Sequence, residues 1–147
     1  DERKESIWNA RGAFLEAIKG STPNMDECDV VVPRDQIAAF VKHSVSIGRE
    51  EGVRICSFGH AGDGNLHLYI CQDGLKDAVW TDVVERVMER LYAQARELGG
   101  EVSGEHGIGH AKRAYLLESA GERQIDLMRG IKAVFDPNGI LNPGKVV

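Results

Sequence analysis

The run VRICSFGHAGDGNLHLYIC, residues 53–71, restricts the possible folds more than any other part of the chain. Two segments rich in β-branched, aromatic and aliphatic residues flank a glycine-rich tetrapeptide, the strongest short-range signal for a β-hairpin. With Asp63-Gly64 at the centre of a type I′ turn, counting outward sets His60 opposite His67, Phe58 opposite Tyr69 and Cys56 opposite Cys71. Directly opposed residues share a face, with Cβ atoms about 4.5–5.5 Å apart. The other face carries Ile55, Ser57, Gly59, Ala61, Leu66, Leu68 and Ile70, all apolar or small. That face is expected to lie under helices, which turns both histidines to the opposite side.

The flanking segments supply those helices. Ile37, Phe40, Val41, Ser44, Val45 and Gly48 recur at helical spacing over 34–51, and Gly52 ends the pattern. Trp80, Val84, Val87, Leu91, Ala95 and Leu98 form a longer stripe over 76–98, closed by Gly99-Gly100. CDVVVP and EVSG read as short strands before and after, so residues 28–103 run β-α-β-β-α-β. This is the order of a ferredoxin-like α+β layer, an antiparallel sheet with helices on one face. One helix is expected over 2–19, two more over 107–118 and 121–134, and an irregular tail, FDPNGILNPGKVV, after them.

Two imidazoles on one sheet face can converge on one ion. A zinc-type cation takes about four nitrogen, sulfur or oxygen ligands. SGEHGIG offers Glu105 on a glycine-flanked segment as the third, leaving a position open for substrate. His106 beside it can stay off the metal and act as a general base near neutral pH. Asp63 is read as bonding its own turn rather than the ion. Cys56 and Cys71 are read as thiols rather than a disulfide.

Charge and composition exclude several classes. A net charge of −5 gives nucleic acid no basic stripe to bind. No apolar run approaches the roughly 18 residues of a membrane span. Three cysteines without CxxC spacing suit reduced thiols in the cytoplasm. The chain opens without methionine and inside a helical pattern, so it is expected to be a piece of a longer protein.

The motifs GHAGDGNLH, GEVSGEHGIGHAKRAYL and FDPNGILNPGK occur in order over nearly the whole chain. Together they resemble the C-terminal domain of FAD-linked oxidases, the glycolate oxidase, D-lactate dehydrogenase and D-2-hydroxyglutarate dehydrogenase type within the vanillyl-alcohol oxidase superfamily. The resemblance implies that residues 1–147 are one cap and C-terminal domain, with most of the FAD bound by a separate N-terminal domain. It implies metal ligation by His60, His67 and Glu105 (zinc, manganese or iron), and proton abstraction from a small 2-hydroxy acid by His106. It also implies that Arg11, in WNAR, grips the substrate carboxylate and that Asn142, in NPGK, faces the flavin. Tyr69 stands where the D-2-hydroxyglutarate branch has asparagine, which leans the expected substrate toward glycolate or D-lactate. Alone, the chain is expected to hold FAD poorly, not to turn over, and to self-associate, as a homodimer for example, over its exposed face. The competing readings are a self-contained His/His/Glu metal hydrolase and a non-catalytic metal-binding module.

Overall fold

The computed structural model describes residues 2–147. It is α+β, with helices α1 (Glu2–Gly12) and α2 (Phe14–Lys19), strand β1 (Met25–Val31), helix α3 (Ile37–Glu51), strands β2 (Arg54–His60) and β3 (Asn65–Cys71), and helices α4 (Asp77–Glu97), α5 (Arg113–Ala120) and α6 (Glu122–Phe135). A single 3₁₀ turn, Arg34–Gln36, leads into α3. The sheet is antiparallel in the order β1-β3-β2. The expected fourth strand is a single antiparallel bridge, Val31 to Glu101, on the free edge of β1.

One face of the sheet is a conventional core. Cys28 and Val30 of β1 and Leu66, Leu68 and Ile70 of β3 meet Phe40 and Ile47 of α3 and Val87, Leu91 and Ala95 of α4. Each fully buried aliphatic side chain there contributes about 1.5–3 kcal/mol. The alternation of β1 and β3 then sends Glu27, Asp29, Asn65, His67 and Tyr69 to the other face, joined by Cys56, Phe58 and His60 from β2.

The hairpin register differs from the expected one by two residues. His60 pairs with Asn65, Phe58 with His67, Cys56 with Tyr69 and Arg54 with Cys71. Asp63 does not take the positive φ a type I′ turn needs; only Gly64 does, at 82°. A four-residue loop forms instead, with the N–H groups of Asp63 and Gly64 both donating to the His60 carbonyl and Val32 N–H donating to the Gly64 carbonyl. A shift of two preserves the face of every side chain, whereas a shift of one would have put His60 and His67 on opposite faces of the sheet. All three cysteines are free thiols, and burial pushes the Cys28 thiol up to about 12.

Helix predictions differ mainly at ends. The helix expected over 2–19 breaks at Gly12-Ala13, giving α1 and α2. This pair lies on the site face, where Phe14 meets Phe58 with ring centroids 6.0 Å apart, so helices do not cover only one side of the sheet. The helix expected from 107 starts at Arg113, because Gly107 and Gly109 have φ of 77° and 54°. Among the described residues no helix is long and apolar enough to cross a membrane.

Candidate metal and proton-transfer site

His60 ends β2 and His67 sits mid-β3, with ring centroids 5.9 Å apart in an edge-on arrangement. Glu105 approaches both from the loop after the β1 bridge, its Oε1 lying 2.9 Å from His67 Nε2 and 3.8 Å from His60 Nε2. One potential ligand atom from each of the three lies within 4.8 Å of the others. The donors are of the nitrogen and oxygen types that zinc, manganese and iron accept, and their spacing suits one ion. His106 stacks on His67 with centroids 4.9 Å apart, its Nε2 3.9 Å from Glu105 Oε1.

A single buried carboxylate shapes the loop that carries Glu105 and His106. Asp29, 1% exposed, accepts the backbone N–H groups of Gly104, Glu105 and His106 at 3.1, 3.3 and 3.0 Å, all at Oδ2. Ser103 Oγ and Lys112 Nζ donate to the same oxygen, and Asn65 Nδ2 donates to Oδ1 at 2.7 Å. Burial alone would raise this carboxyl. The His106 N–H, the Asn65 and Ser103 side chains and the Lys112 charge outweigh it and hold the group well below the usual carboxylate range. Close docking requires glycine at 104, where a Cβ would fall 1.8 Å from Asn65 Nδ2.

A second acid, Glu27, stands on the far side of His67. Its Oε1 accepts from His67 Nδ1 at 3.1 Å and lies 3.4 Å from His106 Nδ1. Burial and the Glu27 carboxylate beside it push the neighbouring Tyr69 phenol above its ordinary value. Neither acid was among the residues singled out in the sequence. Strand β1 begins at Met25 rather than Cys28, and the two-residue spacing of Glu27 and Asp29 on it is the signal that an earlier strand start would have exposed.

Arg11 and Asn142 also come to the site. Arg11 Nη2 lies 3.2 Å from His60 Nδ1, and because guanidinium only donates, this nitrogen accepts. Asn142, in the tail, lines a cavity of about 520 Å³ together with His106, Phe135 and Lys145. All six residues singled out for chemistry therefore gather on one side of the sheet, in two adjoining groups.

The family described as FAD linked oxidases, C-terminal domain, matches residues 1–146. The chain belongs to that family. Among its relatives, a D-lactate dehydrogenase of Anaerostipes hadrus is 52% identical over 97% of the chain. The glycolate oxidase subunit GlcD of Bacillus subtilis is 39% identical over 99% of it. A D-2-hydroxyglutarate dehydrogenase of Stutzerimonas stutzeri is 36% identical, again over 99%. The chain spans 30%, 31% and 32% of these relatives' own lengths, respectively.

Proposed function

We propose that this chain is the metal- and substrate-binding part of an FAD-dependent dehydrogenase acting on a small 2-hydroxy acid, glycolate or D-lactate. The observation that carries the reading is the His60–His67–Glu105 set with His106 stacked directly against it. A bound divalent cation supplies Lewis-acid polarisation of the substrate hydroxyl, and FAD, held mostly by the rest of the longer protein, supplies the hydride acceptor.

The remaining work belongs to side chains of this chain. His106 accepts the hydroxyl proton at Nε2, the nitrogen turned toward Glu105 and away from Glu27. Arg11 takes the substrate carboxylate in a bidentate grip, which releases the Nδ1 of His60 that it now contacts. His60 can then carry its proton on Nδ1 and offer Nε2 as a ligand. Asn142 and the cavity wall around it would face the flavin. The monocarboxylate preference rests on the wall beyond His67, where Glu27 would repel a second carboxylate and buried Tyr69 leaves little room.

The family membership favours this oxidoreductase reading over a self-contained hydrolase. Three free thiols support a cytoplasmic setting, and the exposed apolar residues of α6 support docking against the FAD-binding part or, in the isolated chain, a second copy.

The test is anaerobic mixing of the FAD-loaded longer protein with D-lactate or glycolate. Bleaching of the flavin is expected, slowed about 10²–10⁴-fold by His106→Ala. A flavin that stays oxidised with both acids would sink the substrate assignment. Metal analysis of the 147-residue chain should find one equivalent, lost in His67→Ala.

A further inference from the structure

His67 is one ring between two carboxylates. Glu27 Oε1 meets Nδ1 at 3.1 Å and Glu105 Oε1 meets Nε2 at 2.9 Å. An ionised carboxylate can only accept, so a hydrogen bond at Nδ1 requires the proton on that nitrogen. In the neutral ring Nε2 is then bare and aimed at Glu105, an arrangement that a shared cation satisfies and a hydrogen bond does not. The Glu27 oxygen that holds His67 also lies 3.4 Å from His106 Nδ1, and the two rings stack at 27°.

We propose that Glu27 is a positioning residue that locks His67 in its Nδ1–H tautomer and aligns His106 in the same sense, so that both Nε2 atoms face the reaction space. One acid on β1 thereby orients a ligand and the base together. A ligating histidine whose other nitrogen donates to a carboxylate is held in rotation and made more basic, and loss of such a partner costs about 10–100-fold in metal affinity. Glu27 reaches these rings because it pairs with Tyr69, two residues beyond His67 on the same face of β3. Asp29 Oδ1 is the other acid within reach of His67 Nδ1, at 3.9 Å, but it is already taken by Asn65 Nδ2. The inference takes its functional meaning from the proposed metal site, although its geometry stands without a metal.

The test uses the metal-free, ¹⁵N-labelled chain at a pH about two units above the usual imidazole value of about 6.5. Long-range ¹H–¹⁵N spectra of the wild type should show His67 with a protonated Nδ1 and a bare Nε2. Glu27→Ala should move the ring toward the Nε2–H form that free imidazole side chains favour. Glu27→Gln keeps a carbonyl acceptor and should retain the Nδ1–H form, a rescue that a merely space-filling role would not predict. A protonated Nε2 in the wild type, or the same tautomer in wild type and Glu27→Ala, overturns the proposal. In cobalt(II) titrations Glu27→Ala should bind about 10–100-fold more weakly, with Glu27→Gln recovering most of the loss. Equal cobalt affinity in all three chains overturns the positioning role. Failure of cobalt to bind even the wild type overturns the metal reading and the ligand-presenting role together, whereas the tautomer spectra judge Glu27's hold on the ring separately. Far-UV circular dichroism separates either result from misfolding, and the partly exposed Glu27 side chain leaves the core face untouched.

Discussion

Two irregular segments border the site, and each is tied down by an aspartate together with a lysine. Asp29 holds residues 103–106 through three backbone N–H groups and Lys112. Asp136 holds the tail through the N–H groups of Ile140 and Leu141 and through Lys132. The chemistry is the same, but the reach is not. Asp29 bridges some 75 residues from a strand to a loop, while Asp136 closes a turn of its own chain neighbours. The first loop is docked on the sheet with Glu105 and His106 in place. The second carries Ile140 and Leu141 out into solvent, next to the exposed Val134 and Phe135 of α6. The difference separates a part of the site that is already organised from a part whose apolar surface is free for a partner.

Breaking the first anchor should have the largest effect. Asp29→Ala leaves three N–H groups without their acceptor and strips the Lys112 ammonium of its counter-charge, leaving it only the backbone carbonyl of residue 29, a loss of about 3–5 kcal/mol of the kind seen when one member of a buried ion pair is removed. Urea denaturation should show it, and cobalt(II) binding should fall with it because Glu105 loses its position. A stability close to wild type would mean that the loop is held by something other than Asp29. Gly104→Ala attacks the same docking from the other side. Its Cβ would collide with the Asn65 amide, and an overpacked contact of this kind costs about 1–3 kcal/mol.

The Asp29 anchor also sets a pH dependence. Its carboxyl is held below the unfolded carboxylate value of about 3.9, so its stabilisation is fully present above that value and is lost as pH falls below it. Urea midpoints of the wild type should drop below about pH 4, and the Asp29→Ala chain should show a shallower drop over the same range. Parallel pH profiles for the two chains would remove Asp29 from the explanation.

The contrast between the two anchors also explains what could be read in the sequence. The tail's DPNG turn is a local signal, and the irregular segment expected there is found. The hairpin, the two core helices and the shared face of His60 and His67 follow from periodicities of two and 3.6, and they survive even a two-residue error in register. Glu105 and His106 were legible as residue types beside glycines. The Asp29 and Glu27 contacts that orient them were not, because no periodicity links β1 to a loop some 75 residues away. The fourth strand failed for a related reason. EVSG has a strand's opening, but Ser103 and the backbone after it bond to Asp29 rather than extending a ladder.

The smallest expected effect tests the second anchor. The Lys132 ammonium, with the Ile140 and Leu141 N–H groups, holds the Asp136 carboxyl below its ordinary value, so acid should loosen the tail in the same direction as it loosens the site loop. Asp136→Ala, however, cuts only contacts to residues four or five positions away. Amide exchange of Ile140 and Leu141 should become fast while the protection of Leu68 and Ile70 in β3 stays as in the wild type. Cobalt(II) affinity should also be unchanged, because none of His60, His67 and Glu105 touches the tail anchor. A fall in β3 protection would show that the tail is part of the same cooperative unit as the sheet. In that event the comparison would collapse, and the two loops would be one structure held at two points.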